Sequence, residues 1–517
     1  MKPLIGGCTT CVWRPVGAAR AGDDAALRQG EMETRHPLVC ATVTGRTTAD
    51  LRARRDAVQG ADLVEVRIDT VEEPDVDGAI GGRALPVVVT CRREDEGGWF
   101  CGSEEARRAL LLGALERGAD YVDLEWARGF DDVVRRRRGR GIVLSMHDFA
   151  GCPRDLDARV DAMAALEPDV IKVAVTVTRL GELGRLAALA ARHAGRRIVL
   201  IAMGEAGLPT RLLPGRFGSC WTYAGEGVAP GQVDVVRLHR EFRFRSIGPR
   251  TALYGVAGRP VAHSLSPAIH NAAFAQLGLD AAYIPLAAAD VGDLFDGVGL
   301  LGVAGASVTA PFKVGVLSRL SVLDDDARLT GAVNTIVRDG SGWRGHNTDP
   351  DGFLAGCGDV TLGGRRVAVL GTGGAARAVA LAARRSGAAV TCYGRDPQNA
   401  GALAAALGVS AALRPVPAGS WDVLVNATPV GTHPDVDRTA FPESVYDGTV
   451  AYDLVYNPPR TRFLRDASAG GCRVIGGLDM LVAQAGRQIE LWTGFRPDPE
   501  PMREAARWKL SREAEGA

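Results

Sequence analysis

Between residues 37 and 224, short apolar runs alternate with stretches of helical composition. The runs are Pro37–Thr44, Ala61–Asp69, Leu85–Arg92, Ala119–Trp126, Gly141–Phe149, Asp169–Thr176, Arg197–Gly204 and Gly218–Ala224. Their Val, Ile and Leu content suits strands covered on both faces, and the Ala/Leu/Arg-rich spacers suit helices. Eight βα repeats in roughly 200 residues predict a compact TIM (β/α)8 barrel. A barrel of this kind carries its chemistry at the carboxyl ends of its strands.

Those ends are where polar residues collect. The second run ends with Glu65 and Arg67, and the third reaches Arg92 and then Glu96. The fourth carries Asp123 and Glu125, the fifth ends at His147, the sixth carries Lys172, and the seventh leads to Arg211. So many charges at one end of a barrel are hard to explain as packing. The basic residues sharpen the point. Of 61, only Lys2, Lys172, Lys313 and Lys509 are lysine. Arginine is permanently charged, whereas lysine can shed its proton and act as a nucleophile or base. Lys2 and Lys509 lie near the termini and are expected to be solvated. Lys172 and Lys313 are the candidates for chemistry.

The second half has a different signature. Arg366–Leu370 reads as a strand running into Gly371-Thr-Gly373-Gly374-Ala375-Ala376 and an Ala-rich helix, with a further strand at Ala389–Tyr393. Glycines at this turn, between a strand and a helix N-terminus, suit the pyrophosphate of a dinucleotide. Arg395 follows the next strand and can pair with a 2′-phosphate, which favours NADP; Asp396 keeps NAD open.

Other classes are poor fits. Acidic and basic residues balance at 61 each, so no net basic field favours nucleic acid or anionic lipid. No apolar stretch nears the ~20 residues of a membrane helix. Ten cysteines in a chain of this length suggest reduced thiols and a cytoplasmic protein, with Cys8 and Cys11 incidental and no metal site.

These residues resemble two known families. Residues 37–240 resemble type I 3-dehydroquinate dehydratase, residues 252–515 resemble shikimate dehydrogenase, and the fusion resembles the bifunctional dehydratase–dehydrogenases of plants. The resemblance implies a tail at 1–36, a dehydratase barrel at 37–245, a substrate-binding domain at 252–355 completed by helices within 478–515, and a Rossmann NADP-binding domain at 356–477. In the barrel it makes Lys172 the Schiff-base lysine, His147 the general acid/base and Glu96 its partner. Glu65, Arg67, Arg92, Arg211 and Gln232 become substrate contacts. Val228 stands where that family usually has a serine, which removes a hydroxyl contact from the closing loop.

In the second half, His263-Ser264-Leu-Ser266-Pro267 matches the family's substrate motif, so Ser264 and Ser266 would grip a carboxylate. Lys313 and Asp349 match the catalytic pair. Thr309, Asn334, Tyr456 and Gln484 match further substrate contacts. Gly371, Gly373, Gly374, Ala375, Arg395, Asn426, Thr428 and Gly477 would line the cofactor. Ser307 and Asp479 depart from many bacterial members and look plant-like.

The chemistry fits these residue types. Dehydrating a β-hydroxy ketone removes a proton beside the carbonyl, and an iminium on lysine is a better electron sink than the ketone. The implied function is conversion of 3-dehydroquinate to 3-dehydroshikimate, then reduction to shikimate with NADPH. The expected protein is a monomer whose partners are these small molecules. The rivals are a catabolic quinate/shikimate dehydrogenase using NAD, and a half retained as a non-catalytic module.

Overall fold

The computed structural model describes residues 37–225, 227, 231–442 and 445–515. The tail, with Cys8 and Cys11, and Val228 lie outside the described residues.

The first eight strands are β1 (Leu38–Val43), β2 (Leu63–Arg67), β3 (Val87–Thr90), β4 (Tyr121–Glu125), β5 (Ile142–Asp148), β6 (Val170–Thr176), β7 (Ile198–Met203) and β8 (Trp221–Ala224). All pair in parallel, in the order β7-β6-β5-β4-β3-β2-β1-β8. The ring meets between β7 and β8 at a bridge pairing Ile198 with Ser219. This is a (β/α)8 barrel. Side chains of a strand alternate between its two faces. Val64, Val66, Val87, Val89, Val122 and Leu124 therefore bury against the helices, and the intervening residues face the interior.

A six-stranded mixed sheet follows, ordered β10-β9-β11-β13-β14-β12. Its members are β9 (Ala252–Gly258), β10 (Ala281–Ala287), β11 (Val303–Val308), β12 (Val322–Leu323), β13 (Thr335–Asp339) and β14 (Gly342–His346). The helices Ser266–Gln276, Leu478–Thr493 and Pro499–Glu515 share a core with it, formed by Ile269, Phe274, Tyr283, Ile489, Met502 and Ala506 among others.

The third sheet is wholly parallel, with β15 (Arg366–Leu370), β16 (Ala389–Gly394), β17 (Ser410–Leu413), β18 (Val423–Asn426), β19 (Val450–Asp453) and β20 (Arg473–Ile475). Its order is β17-β16-β15-β18-β19-β20. That is the doubly wound order with the switch point between β15 and β18, where such sheets bind dinucleotides.

The barrel and the mixed sheet share one continuous core, in which Leu180, Leu253, Leu294 and Leu301 take part. Asp293 is buried where they meet and accepts from the backbone N–H of Leu180 (3.1 Å) and of Gly181 (3.0 Å). Gly297 permits the close approach, since a Cβ there would sit 2.6 Å from Leu180 Cβ.

Candidate active sites

The barrel interior shows how a period of two builds a site. Glu65 and Arg67, Asp123 and Glu125, Ser145 and His147, and Lys172 and Ala174 are each two residues apart on one strand, so each pair shares a face. Register sets neighbours: Thr42 lies beside Glu65, Thr90 beside Asp123, and Ser145 beside Lys172. The cavity is lined by Glu65, Arg67, Arg92, Glu96, His147, Lys172, Arg211 and Gln232, together with Thr42, Phe149, Ile201, Met203 and Tyr223.

Lys172 is buried and donates to Asp123 (2.9 Å) and Glu65 (3.4 Å), with its ammonium 4.1 Å from the centre of the Tyr223 ring. Its nearest charges are acids. Burial by itself would raise the Asp123 carboxyl, but Arg92, 2.8 Å away, and Lys172 outweigh it and hold it far below the usual range. Burial also opposes ionisation of Glu65, and there too Lys172 and Arg67 win. Glu65 is fixed by hydroxyl donors, Thr42 at 2.9 Å and Thr90 at 2.8 Å.

Burial, then the positive charges of Arg92 and Lys172, holds the His147 imidazole well below its ordinary pKa, so the ring is neutral. Arg92 donates to Nδ1 at 2.8 Å, and Glu96 Oε2 lies 3.3 Å from the same nitrogen. A guanidinium can only donate, so Nδ1 is unprotonated in this arrangement. Burial first, then the Glu125 carboxylate, pushes the Glu96 carboxyl up to about 7 against the pull of Arg92 and Arg128. Burial likewise brings Arg211 down to about 10. Arg67 forms a two-bonded pair with Asp69 at 2.9 and 2.7 Å and stacks over Trp99. Gln232 donates to Thr42 at 3.2 Å.

A second constellation forms beside the mixed sheet. Lys313 donates to Asp349 Oδ2 at 2.5 Å. Asn334 Nδ2 donates to Asp349 Oδ1 at 2.7 Å and to Gln484 Oε1 at 3.4 Å, so both carboxylate oxygens are engaged. Thr309 is half-buried just after β11, and Tyr456 is half-buried against the helical core. Ser266 opens the helix Ser266–Gln276, and its backbone N–H donates to Ser264 Oγ at 3.2 Å. Ser307 has its own partners, receiving from the Tyr283 hydroxyl at 2.6 Å and donating to Gln488 at 2.7 Å. Asp479 is paired with Arg503 at 2.7 Å.

The turn after β15 lies at the switch point. Gly371 has φ +122°, a backbone shape L side chains rarely adopt, and no atom lies within 4 Å of a Cβ built on Gly373. This leaves a backbone cradle opening onto the N-terminus of the helix Gly374–Arg385, whose first turn includes Ala375. The first N–H groups of a helix lack partners within it and suit a phosphate. The Lys313 stem reaches the same place, its Cδ 3.6 Å from the Cβ position of Gly374. Across the crevice, Asn426 is fixed by donating to Asp453 at 2.8 Å, and it receives from the Thr428 hydroxyl at 2.7 Å. Gly477 caps the helix Leu478–Thr493 and packs so closely on Leu454 that a Cβ would lie 2.2 Å from its carbonyl oxygen. Arg395 is exposed at the end of β16. Asp396 is occupied as the cap of the helix Pro397–Leu407, accepting from Gln398 N (2.9 Å) and Asn399 (2.7 Å). These groups fit a dinucleotide with a 2′-phosphate.

One expectation needs correction. Lys509 is not solvated. It is buried and donates to Glu241 at 2.6 Å and to the Ser264 carbonyl at 2.8 Å. Its position near the chain end hid an amphipathic helix that packs inward. The sequence gives no sign of a role for Thr42 or Tyr223, and Asp123 stands out there only by its position. A carboxylate inside an apolar strand was the available signal for Asp123; Thr42 and Tyr223 offered none, since both residue types are ordinary in strands.

Comparisons with known proteins match separate parts of the chain. The type I 3-dehydroquinase family matches residues 39–249. The shikimate dehydrogenase substrate binding domain matches 256–336, and the shikimate 5′-dehydrogenase C-terminal domain matches 477–507. A chloroplastic bifunctional 3-dehydroquinate dehydratase/shikimate dehydrogenase of Arabidopsis thaliana is 32% identical over 480 residues, covering 86% of this chain and 79% of that one. The shikimate dehydrogenase (NADP(+)) of Shouchella clausii is 36% identical over 275 residues, which is 50% of this chain and 100% of that one. The crystal structure of the Thermus thermophilus shikimate 5-dehydrogenase with NADP(H) and shikimate is 40% identical and covers 50% of this chain and 99% of that one, with TM-score 0.47.

Proposed function

The chain belongs to the family of bifunctional 3-dehydroquinate dehydratase/shikimate dehydrogenases, and from that premise we propose that it runs both reactions with the residues assembled above. The observation that carries the reading is the pair of lysine–carboxylate sites, Lys172 with Asp123 and Lys313 with Asp349, one in each half of the chain.

In the barrel, Lys172 attacks the substrate ketone once it has shed its proton, with Asp123 and Glu65 holding the side chain in place. Loss of water gives the iminium. His147 removes the adjacent C2 proton and returns a proton to the departing C1 hydroxyl. A substrate carboxylate is a better acceptor for Arg92 than a neutral imidazole. When Arg92 turns to it, Nδ1 can take a proton and point it at Glu96, leaving Nε2 as the base. Arg67, Arg211, Glu65 and Gln232 hold the remaining substrate oxygens.

In the second cleft, Ser264 and Ser266 hold the carboxylate, while Thr309, Asn334, Tyr456 and Gln484 surround the ring. NADPH supplies the hydride. Lys313 gives the ketone oxygen its proton, and Asp349 keeps the ammonium placed. Gly371, Gly373, Gly374, Ala375, Asn426, Thr428 and Gly477 line the dinucleotide, and Arg395 takes the 2′-phosphate. The capping duty of Asp396 speaks against a ribose diol contact, and so against NAD.

The domain limits follow this division, with a barrel at 37–245, a substrate domain at 252–355 completed by helices within 478–515, and an NADP domain at 356–477. The reading takes the protein as a monomer. No helix among the described residues is long and apolar enough to cross a membrane, and the reading places the enzyme in the cytoplasm.

The test is NADPH consumption after 3-dehydroquinate is added to the purified protein. Loss of NADPH with formation of shikimate supports both sites acting in sequence. Lys172→Arg should abolish the signal from dehydroquinate and leave the signal from 3-dehydroshikimate. Dehydration surviving that change would overturn the imine route.

A further inference from the structure

Lys509 and Glu241 form a buried ion pair that neither reaction uses, their side chains 4% and 0% exposed. They come from distant parts of the chain. Glu241 follows the barrel's last helix, Val235–Arg240, and Lys509 lies in the helix Pro499–Glu515. The ammonium donates both to Glu241 (2.6 Å) and to the backbone carbonyl of Ser264 (2.8 Å). The other Glu241 oxygen accepts from Arg237 at 2.7 Å. The backbone carbonyl of Glu241 accepts from Asn271 at 2.9 Å, on the helix that Ser266 opens. One residue at the end of the barrel thus reaches the serine segment by two routes.

We propose that Lys509 and Glu241 are positioning residues for the dehydrogenase. Glu241 fixes the Lys509 ammonium, and the ammonium holds the Ser264 carbonyl, so the serine pair stands in place before the substrate carboxylate arrives. The proposal rests on the assignment of Ser264 and Ser266 to that carboxylate.

Two arguments separate this from a plain structural ion pair. Burying two charges is a poor source of stability, because desolvation opposes the attraction. The same helix also touches a second substrate-facing segment: Glu513, one turn beyond Lys509 and on the same side, accepts from Asn457 at 3.2 Å, next to Tyr456. One helix face therefore holds two segments of the cleft, and the barrel anchors it. An ammonium suits this post because it is a compact donor that can serve two acceptors in different directions.

The experiment measures shikimate oxidation and dehydroquinate dehydration in full-length Lys509→Met, Glu241→Gln and Ser264→Ala proteins. Lys509→Met should raise KM for shikimate about tenfold with kcat nearly unchanged, the signature of lost ground-state placement. KM for NADP and the dehydratase rate should stay at wild-type values. Glu241→Gln keeps the shape and removes the charge, and should move the same KM in the same direction; it decides the matter if Lys509→Met does not fold. An unchanged shikimate KM in Lys509→Met and Glu241→Gln, with a raised KM in Ser264→Ala, overturns the proposal and leaves the serine assignment standing. An unchanged KM in all three overturns the serine assignment, and the proposal with it. Parallel loss of dehydratase rate and NADP affinity would mark general damage and also overturn the proposal.

Discussion

Lys172, Lys313 and Lys509 each sit against a carboxylate, at 2.9 Å from Asp123, 2.5 Å from Asp349 and 2.6 Å from Glu241. In a chain that apart from Lys2 otherwise uses arginine, Lys172 and Lys313 mark places where an exchangeable proton is needed, and Lys509 one where a compact donor is. Lys313→Met should lower kcat for reduction of 3-dehydroshikimate by roughly 10²-fold or more, the usual scale for losing a proton donor. Dehydration should be untouched, and both rates can be read on one preparation. Glu96 gives a pH prediction. Its carboxyl is pushed up to about 7, chiefly by burial. Below that pH it keeps its proton and offers no charge to His147; above it, the carboxylate favours the imidazolium formed when the substrate proton is taken. Dehydratase kcat/KM should therefore rise as pH climbs through about 7. Glu96→Gln should flatten that limb, and a limb that persists in the variant belongs to another group.

At the scale of elements, the proposed function divides cofactor recognition between backbone, at the turn Gly371–Gly374, and side chain, at the exposed Arg395 after β16. Arg395→Ala should raise KM for NADP about tenfold or more, as expected for loss of a charge-assisted contact to phosphate, and leave KM for NAD nearly unchanged. Equal effects on the two cofactors would place the 2′-phosphate elsewhere. This contrast also shows what sequence can carry. The eight barrel strands were readable because strands covered on both faces become nearly unbroken apolar runs, so Glu65, Asp123 and Lys172 stood out within them. The glycines of the turn were readable because backbone geometry demands them. Thr42 and Tyr223 were not, since a threonine or tyrosine in a strand is ordinary until register sets it beside Glu65 or under Lys172. Lys509 was misread for a related reason. Its partner Glu241 is remote in sequence, and no local pattern records a contact made only when the chain closes on itself.

At the scale of the molecule, the continuous core shared by barrel and mixed sheet argues that these two unfold together, and the parallel sheet, with its separate cores around Val369 and Trp421, is expected to have its own transition. Asp293 is one of the polar links in the shared body. Besides the N–H groups of Leu180 and Gly181, it accepts from Ala289 N at 2.8 Å. Asp293→Ala leaves these donors without that acceptor, at a cost of about 1–3 kcal/mol. For a body of more than about 300 residues each kcal/mol corresponds to roughly 1–2 °C, so the transition of the shared body should fall by about 1–5 °C in calorimetry. NADP+ should act on the other transition, because a ligand stabilises the unit that binds it. If Asp293→Ala and NADP+ move one and the same transition, the molecule unfolds as a single cooperative unit. The barrel would then stabilise the NADP-binding sheet as well as the mixed sheet it touches.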